Sequence, residues 1–241
     1  MQSKLNFEKI LFLDIETVPE SEDFQSLPET TKTLFTQKTA YQRNQEVTLE
    51  EFYERAGIWA EFGKIICISV GYFICFNTEK QEFRTKSFYG DEQALLIEFK
   101  ALLDNHFTSE QYKLCAHNGK EFDFPFIARR MIIHQISLPK MLNLFGKKPW
   151  EIPHLDTLEL WKFGDYKHFT SLKLLTHILK IPSPKDDIDG SQVCQVYYKE
   201  KDIERIVVYC EKDTVAVAQL LLRFFNYPLL ESDKIISVST N

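Results

Sequence analysis

The chain has 241 residues, 44% of them apolar and 14% aromatic, and a formal net charge of −6. This is enough for one large buried core or two small ones. It argues against a disordered chain and against a protein that coats nucleic acid through bulk positive charge. Five cysteines stand at 67, 75, 115, 194 and 210, an odd number without a Cys-x-x-Cys pair. Neither a zinc site nor a disulfide framework is expected from that spacing, and reduced thiols suit a cytoplasmic protein. No apolar run is long enough to cross a bilayer, and Ile10–Leu13, stopped by Asp14, is too short for a signal-peptide core.

In chain order, Lys9–Ile15 reads as a buried strand, apolar on both faces. Residues 19–62 are polar, rich in Thr, Gln and Glu, and broken by Pro19 and Pro28. They read as a partly helical insertion bordering the candidate site. Within it Thr48-Leu49-Glu50-Glu51 is a capping box that starts a helix. Lys64–Phe76 is a long strand, Asn77–Lys80 a turn, and Glu82–Phe88 the returning strand. Cys67, Cys75 and Cys115 fall in apolar strand-like runs, where Cys acts as a small hydrophobe. Asp91–His106 carries apolar residues at 95, 96, 99, 102 and 103, a helical spacing. Tyr112–Ala116 is a further strand, followed by a helix over Phe122–His134 with Pro125 in its first turn. Ile152–Asp156 reads as a strand, Ser171–Leu179 as a helix stopped by Pro182, and 184–193 as a polar loop. The last helix spans Asp202–Phe225, with Ile203, Ile206, Cys210, Val217, Leu221 and Phe224 as its core stripe. After Pro228 there is no clear pattern. The expectation is a single α/β domain over 1–241 with a mixed sheet.

Acids recur at the ends of these elements. Asp14 and Glu16 are two apart on a strand and share a face. Two carboxylates so close repel each other unless a cation lies between them; the plainer alternative is a pair of exposed strand-end acids. Asp123 sits where a helix starts, a place that capping and the helix dipole already favour for an acid. Asn118 either bonds a phosphate or makes the turn with Gly119. Phe122 reads as a core anchor. Tyr209 and Asp213 are four apart on the last helix, sharing a face at the border of its apolar stripe. Together these are carboxylates from three distant elements, the donor set of hard divalent cations.

The three motifs, Asp14-Ile15-Glu16-Thr17, Asn118-x-x-x-Phe122-Asp123 and Tyr209-x-x-x-Asp213, resemble in order those of the DnaQ-like 3′–5′ exonucleases. The branch resembled has Tyr in its third motif, as does the proofreading domain of family B DNA polymerases. The flanks Ala116–Lys120, Leu155–Leu158 and Asp189–Val193 resemble a stand-alone bacterial group related to that domain. The resemblance covers about residues 9–225 and implies a ribonuclease H-like mixed sheet flanked by helices, with the insertion after the first strand. It further implies two divalent cations, Mg²⁺ or Mn²⁺, roughly 3.5–4 Å apart. Asp14, Glu16 and Asp213 would hold one. Asp14 would also hold the other, with Asp123 acting through water. Tyr209 would orient the attacking water, since an ordinary Tyr pKa near ~10 makes it a poor base. The Thr17 backbone, Asn118 and Phe122 would contact the 3′-terminal nucleotide. The implied partner is single-stranded nucleic acid, DNA ahead of RNA, released as nucleoside 5′-monophosphates. No polymerase region follows, so proofreading in cis is not expected. An exoribonuclease on the same site and a catalytically silent binding module stay as alternatives.

Other residues carry weaker readings. Asp156 reads as structural rather than as a ligand. His117 reads as a turn residue. Glu121 would repel phosphate if it faced the cleft. Lys120, Arg129, Arg130, Lys147, Lys148 and Lys167 either follow a phosphate backbone or are plain surface charges. Lys185 is a phosphate contact or a solvated loop residue, and the Asp186–Ser191 run lacks the terminal Glu of a calcium loop.

Overall fold

The computed structural model describes residues 5–43, 47–165, 169–182 and 187–238. Six strands form one mixed sheet: β1 (Ile10–Pro19), β2 (Gly63–Ile74), β3 (Glu82–Tyr89), β4 (Lys113–Ala116), β5 (Leu155–Asp156) and β6 (Ile235–Ser237). Their spatial order is β5-β4-β1-β2-β3-β6. β1, β2 and β3 form an antiparallel meander, while β4 runs parallel to β1, β5 to β4 and β6 to β3. The helices are α1 (Glu29–Thr39), α2 (Leu49–Tyr53), α3 (Glu92–His106), α4 (Asp123–Ile133), α5 (Thr157–Lys162), α6 (Leu172–Ile178), α7 (Val193–Gln195) and α8 (Ile203–Phe224). This is the α/β, ribonuclease H-like arrangement of a mixed sheet flanked by helices.

Alternation along β1 decides which side each residue serves. Leu11, Leu13 and Ile15 pack with Leu96 and Phe99 of α3 and Ile127 and Met131 of α4. Ile10 and Phe12 pack on the other face with Val217 and Leu221 of α8, and Val18 lies with Ile206 and Cys210. Asp14 and Glu16 hold the two positions between Phe12 and Val18 on the α8 face, so they interrupt an apolar stripe under a helix.

Local chemistry sets the boundaries. Thr48 and Glu51 form the capping box of α2. Asp91, Ser171 and Asp202 cap α3, α6 and α8 by accepting the N–H of Ala94, Leu174 and Arg205. The insertion has a small core of its own, in which Phe24, Leu27, Phe35, Phe52, Tyr53, Ala56 and Phe62 are buried together.

Several expectations change. β1 does not stop at Ile15 but runs to Pro19, with a register shift against β2 between Glu16 and Thr17, so the first-motif acids lie inside the strand. The Ile152–Asp156 strand shortens to Leu155–Asp156, and just before it the His154 ring, not its backbone, accepts the Leu114 N–H of β4. The unpatterned tail supplies β6, an edge strand too short to show a periodicity. Cys75 lies just past β2, exposed and in left-handed backbone (φ 51), rather than in the strand. Of the 184–193 loop, residues 184–186, with Lys185 and Asp186, lie outside the described residues, as does Lys167.

Candidate active site

The second-motif turn is built by a neighbouring strand. Asn118 adopts left-handed backbone (φ 65), which Asn tolerates better than most residues. Its carbonyl accepts the N–H of Phe122 at 2.9 Å and of Glu121 at 3.2 Å. Gly119 is required by contact: a Cβ there would lie 2.4 Å from Ala116 Cβ and 2.9 Å from the Phe124 ring. Asp156, only 4% exposed, accepts the N–H groups of Asn118 and Lys120, both at 3.0 Å. Its Oδ1 also accepts those of Leu158 (2.9 Å) and Glu159 (3.2 Å). One buried carboxylate therefore ties the second motif to the start of α5, a structural role. His117 is more than a turn residue. Its Nε2 donates to the Thr170 carbonyl and its Nδ1 meets the Thr157 hydroxyl, both at 2.9 Å. Burial lowers its pKa, favouring the neutral ring.

Asp123 is the first residue of α4, with Phe122 in the cap position and making no side-chain cap. Its carboxyl is 3% exposed. Its carboxyl is turned towards its own N–H and, across the gap to β1, towards the N–H of Ile15, the residue between Asp14 and Glu16. It thus faces the first motif instead of capping its helix. Phe122 is half-buried against the core, its ring 5.4 Å from that of Phe126. Thr17 Oγ1 donates to the Gly57 carbonyl at 2.8 Å, which fastens the insertion to the first motif.

On α8, the Tyr209 hydroxyl lies near the Asp213 carboxylate one turn on. Between them Cys210 turns inward: its thiol lies 3.4 Å from the Asp14 carbonyl and 3.5 Å from Asp14 Oδ2. Ligand atoms of Asp14, Glu16 and Cys210 all lie within 4.8 Å of one another. Tyr209 and Asp213 also line a cavity of about 1240 Å³ bounded by α8, α6 and the Ile188–Gly190 loop.

The four acids act on one another. Burial raises the Asp14 carboxyl well above the usual range, and Glu16, Asp213 and Asp123 add to it. Glu16 is raised well above its usual value by burial first, then by Asp213, Cys67 and Asp123. Asp123 is pushed up to about 7, mainly by burial. Burial, with Asp213, Glu16 and Asp14 nearby, raises Tyr209 and keeps its hydroxyl protonated. Among the described residues no donor bonds the Glu16 carboxylate, which is 9% exposed. A nearly buried carboxylate without a donor, beside other carboxylates, fits a bound cation.

Other site readings sort themselves by contact. Glu121 is exposed, and Lys120 pairs with Glu159 at 2.5 Å. Arg130 does not follow a phosphate backbone. It is 2% exposed and pairs with Glu92 at 2.5 Å while donating to the Ala60 carbonyl. Glu92 in turn accepts the Ile65 N–H and meets His134 Nε2 at 2.6 Å. Nothing in the sequence marks Cys210 or Glu211 as a contact of the site, whereas Asp156 keeps the structural role expected of it. Glu211 accepts from Ser87 (2.9 Å), Ser237 and Thr85, joining α8 to β3 and β6.

A six-stranded mixed sheet flanked by helices, with acids on β1, α4 and α8 close enough to perturb one another, is an architecture of the ribonuclease H-like class. A family described as "predicted 3′–5′ exonuclease related to the exonuclease domain of PolB" matches residues 58–231, and the chain belongs to that family. The chain is therefore a nuclease acting on nucleic acid. The match begins after Asp14, Glu16 and Thr17, which lie outside it. No curated protein matches the chain. Among the described residues no helix is long and apolar enough to cross a membrane.

Proposed function

We infer that the protein is a two-metal-ion 3′–5′ exonuclease that shortens single-stranded DNA or frayed 3′ ends to nucleoside 5′-monophosphates. The observation that carries this reading is the mutual approach of Asp14, Glu16, Asp123 and Asp213, with Glu16 buried and lacking a donor. Asp14, Glu16 and Asp213 would hold one Mg²⁺ or Mn²⁺, and Asp14 with Asp123 the other. Such ions, when bound, lower the pKa of an attacking water and neutralise charge on the leaving oxygen.

The chain's own groups supply the positioning. Tyr209 stays protonated, so it serves as an oriented hydroxyl and not as a base. The nearby Asp213 carboxylate would direct that hydroxyl. Asn118, in the turn that Asp156 fixes, and the half-buried Phe122 would hold the terminal sugar and base. Thr17 would meet the same nucleotide through its backbone, its hydroxyl being committed to Gly57.

The test is digestion of a 5′-labelled single-stranded DNA oligomer with Mn²⁺ or Mg²⁺, alongside a matched RNA and the Asp213→Asn variant. A ladder receding from the 3′ end, absent in the variant, is expected. Cleavage of RNA alone would replace DNA by RNA as substrate. Tight binding without hydrolysis of either would leave a binding module.

A further inference from the structure

We propose that Cys210 gives the acidic site a sulfur ligand, so that Asp14, Glu16 and Cys210 form a mixed site for a thiophilic divalent cation of the zinc class. The proposal rests on the reading of these acids as a cation site and adds to it a second kind of cation. Carboxylates alone favour hard ions, whereas a thiolate beside them shifts preference towards softer ones.

Three observations carry it. The first is spacing. A tetrahedral zinc-class ion with oxygens about 2.0–2.2 Å away and sulfur about 2.3 Å away sets its ligands roughly 3.3–3.8 Å apart. Cys210 Sγ and Asp14 Oδ2 are 3.5 Å apart, and Glu16 completes a set within 4.8 Å. The second is the Glu16 carboxylate, nine-tenths buried, with no hydrogen-bond donor among the described residues and directed into this group. The third is that the thiol is held facing the acids. Cys210 is fully buried on α8, its thiol bonded towards Asp14 on one side, with Cys67 of β2 beside it in the same buried cluster. Cys67 Sγ is itself 3.7 Å from Ser69 Oγ, and Ser69 Oγ lies 2.8 Å from Ser87 Oγ. That polar row lies beneath α8, in register with Asp14: Asp14 pairs Ser69 and Ser69 pairs Ser87 across the sheet.

Binding replaces the S–H bond by a metal–sulfur bond and releases one proton to solvent; no electron is transferred. A zinc-class ion so held occupies Asp14 and Glu16, the same carboxylates a hard cation would use.

Cobalt(II), a spectroscopic stand-in for zinc, tests this on the full chain. Titration of the metal-free protein should bring up a thiolate-to-cobalt charge-transfer band with one equivalent of metal. Cys210→Ser should lack that band. Asp14→Asn should weaken cobalt binding by roughly tenfold or more, the loss usual for a disturbed metal site. Wild type that binds cobalt without a sulfur band overturns the proposal by itself, whether or not Cys210→Ser folds. A band that survives in Cys210→Ser or Cys210→Ala also overturns it, since the sulfur then comes from elsewhere. The sulfur band without any hydrolysis of nucleic acid would leave the mixed site standing and remove the exonuclease reading. Hydrolysis without the band would do the reverse.

Discussion

Asp156 accepts the backbone N–H of Asn118 at 3.0 Å, so a two-residue strand holds the turn from which the second motif starts. The same carboxylate accepts the N–H groups of Lys120, Leu158 and Glu159. The position of Asp123 against β1 therefore depends on a residue more than thirty positions later in the chain.

Replacing Asp156 by Ala should leave one buried and three partly buried N–H groups without this acceptor and remove the cap of α5. The expected cost is roughly 2–4 kcal/mol of stability, read from urea denaturation. Hydrolysis should fall further than the folded fraction does, because the Asn118 turn loses its anchor. A variant with unchanged denaturation midpoint would show that water replaces the carboxylate.

Tyr209→Phe removes the hydroxyl while keeping the ring. If that hydroxyl orients the attacking water, kcat should fall by about 10²-fold, the scale of a small misplacement of a reacting group. The alkaline limb of the pH–rate profile should not move, because Tyr209 is held protonated. Loss of an alkaline limb in the variant would instead make Tyr209 a titrating group.

The acids predict a pH-dependent response to cations. In the unfolded chain Asp123 ionises near 3.8, and in the fold near 7. Between those values the native state keeps a proton that the unfolded chain has released. Stability of the metal-free protein therefore falls as pH rises through this window, by up to about 4 kcal/mol from this one group. Asp14 and Glu16, raised in the same direction, add to the fall. Mn²⁺ bound by the ionised carboxylates should raise Tm more at pH 8 than at pH 5. His154 acts oppositely below neutrality. Its pKa is lowered to about 4, chiefly by burial, so stability is lost as pH drops below about 6.5. Comparison with Asp123→Asn separates the two, since only the first contribution should disappear. An Mn²⁺-induced shift equal at both pH values would count against the acids as the cation site.

Arg130→Met should cost about 3–5 kcal/mol, because Glu92 would be left charged and nearly buried. The double change Glu92→Leu with Arg130→Met should cost less than the single one. Burial raises the Glu92 pKa, but hydrogen bonds from Arg130, Ile65 and His134 outweigh it and hold the pKa below 4.5. That part of the stability is present above the usual Glu range and is lost as pH falls through the lowered value. A double variant as unstable as Arg130→Met would assign the cost to lost packing instead of lost charge.

What the sequence determined by itself was everything carried by short-range periodicity and capping. Alternation along β1 put Asp14 and Glu16 on one face with Ile10 and Phe12. The spacing of Tyr209 and Asp213 put them on one face of α8. Thr48 and Glu51, four residues of local pattern, marked the start of α2. Side-chain direction within one element follows from backbone geometry, and backbone geometry is legible in local sequence. What only the tertiary structure decided was which side chains meet across elements. Asp123 by itself had better reason to cap its helix, and its carboxyl turns towards the Ile15 N–H of β1. Arg130 had the look of a surface charge, and it is sealed against Glu92. Cys210 read as one apolar position of a stripe, yet it meets Asp14, 196 residues away. Such contacts depend on how the helices settle on the sheet. That is fixed by the summed burial of many residues, and no single stretch of the chain records it.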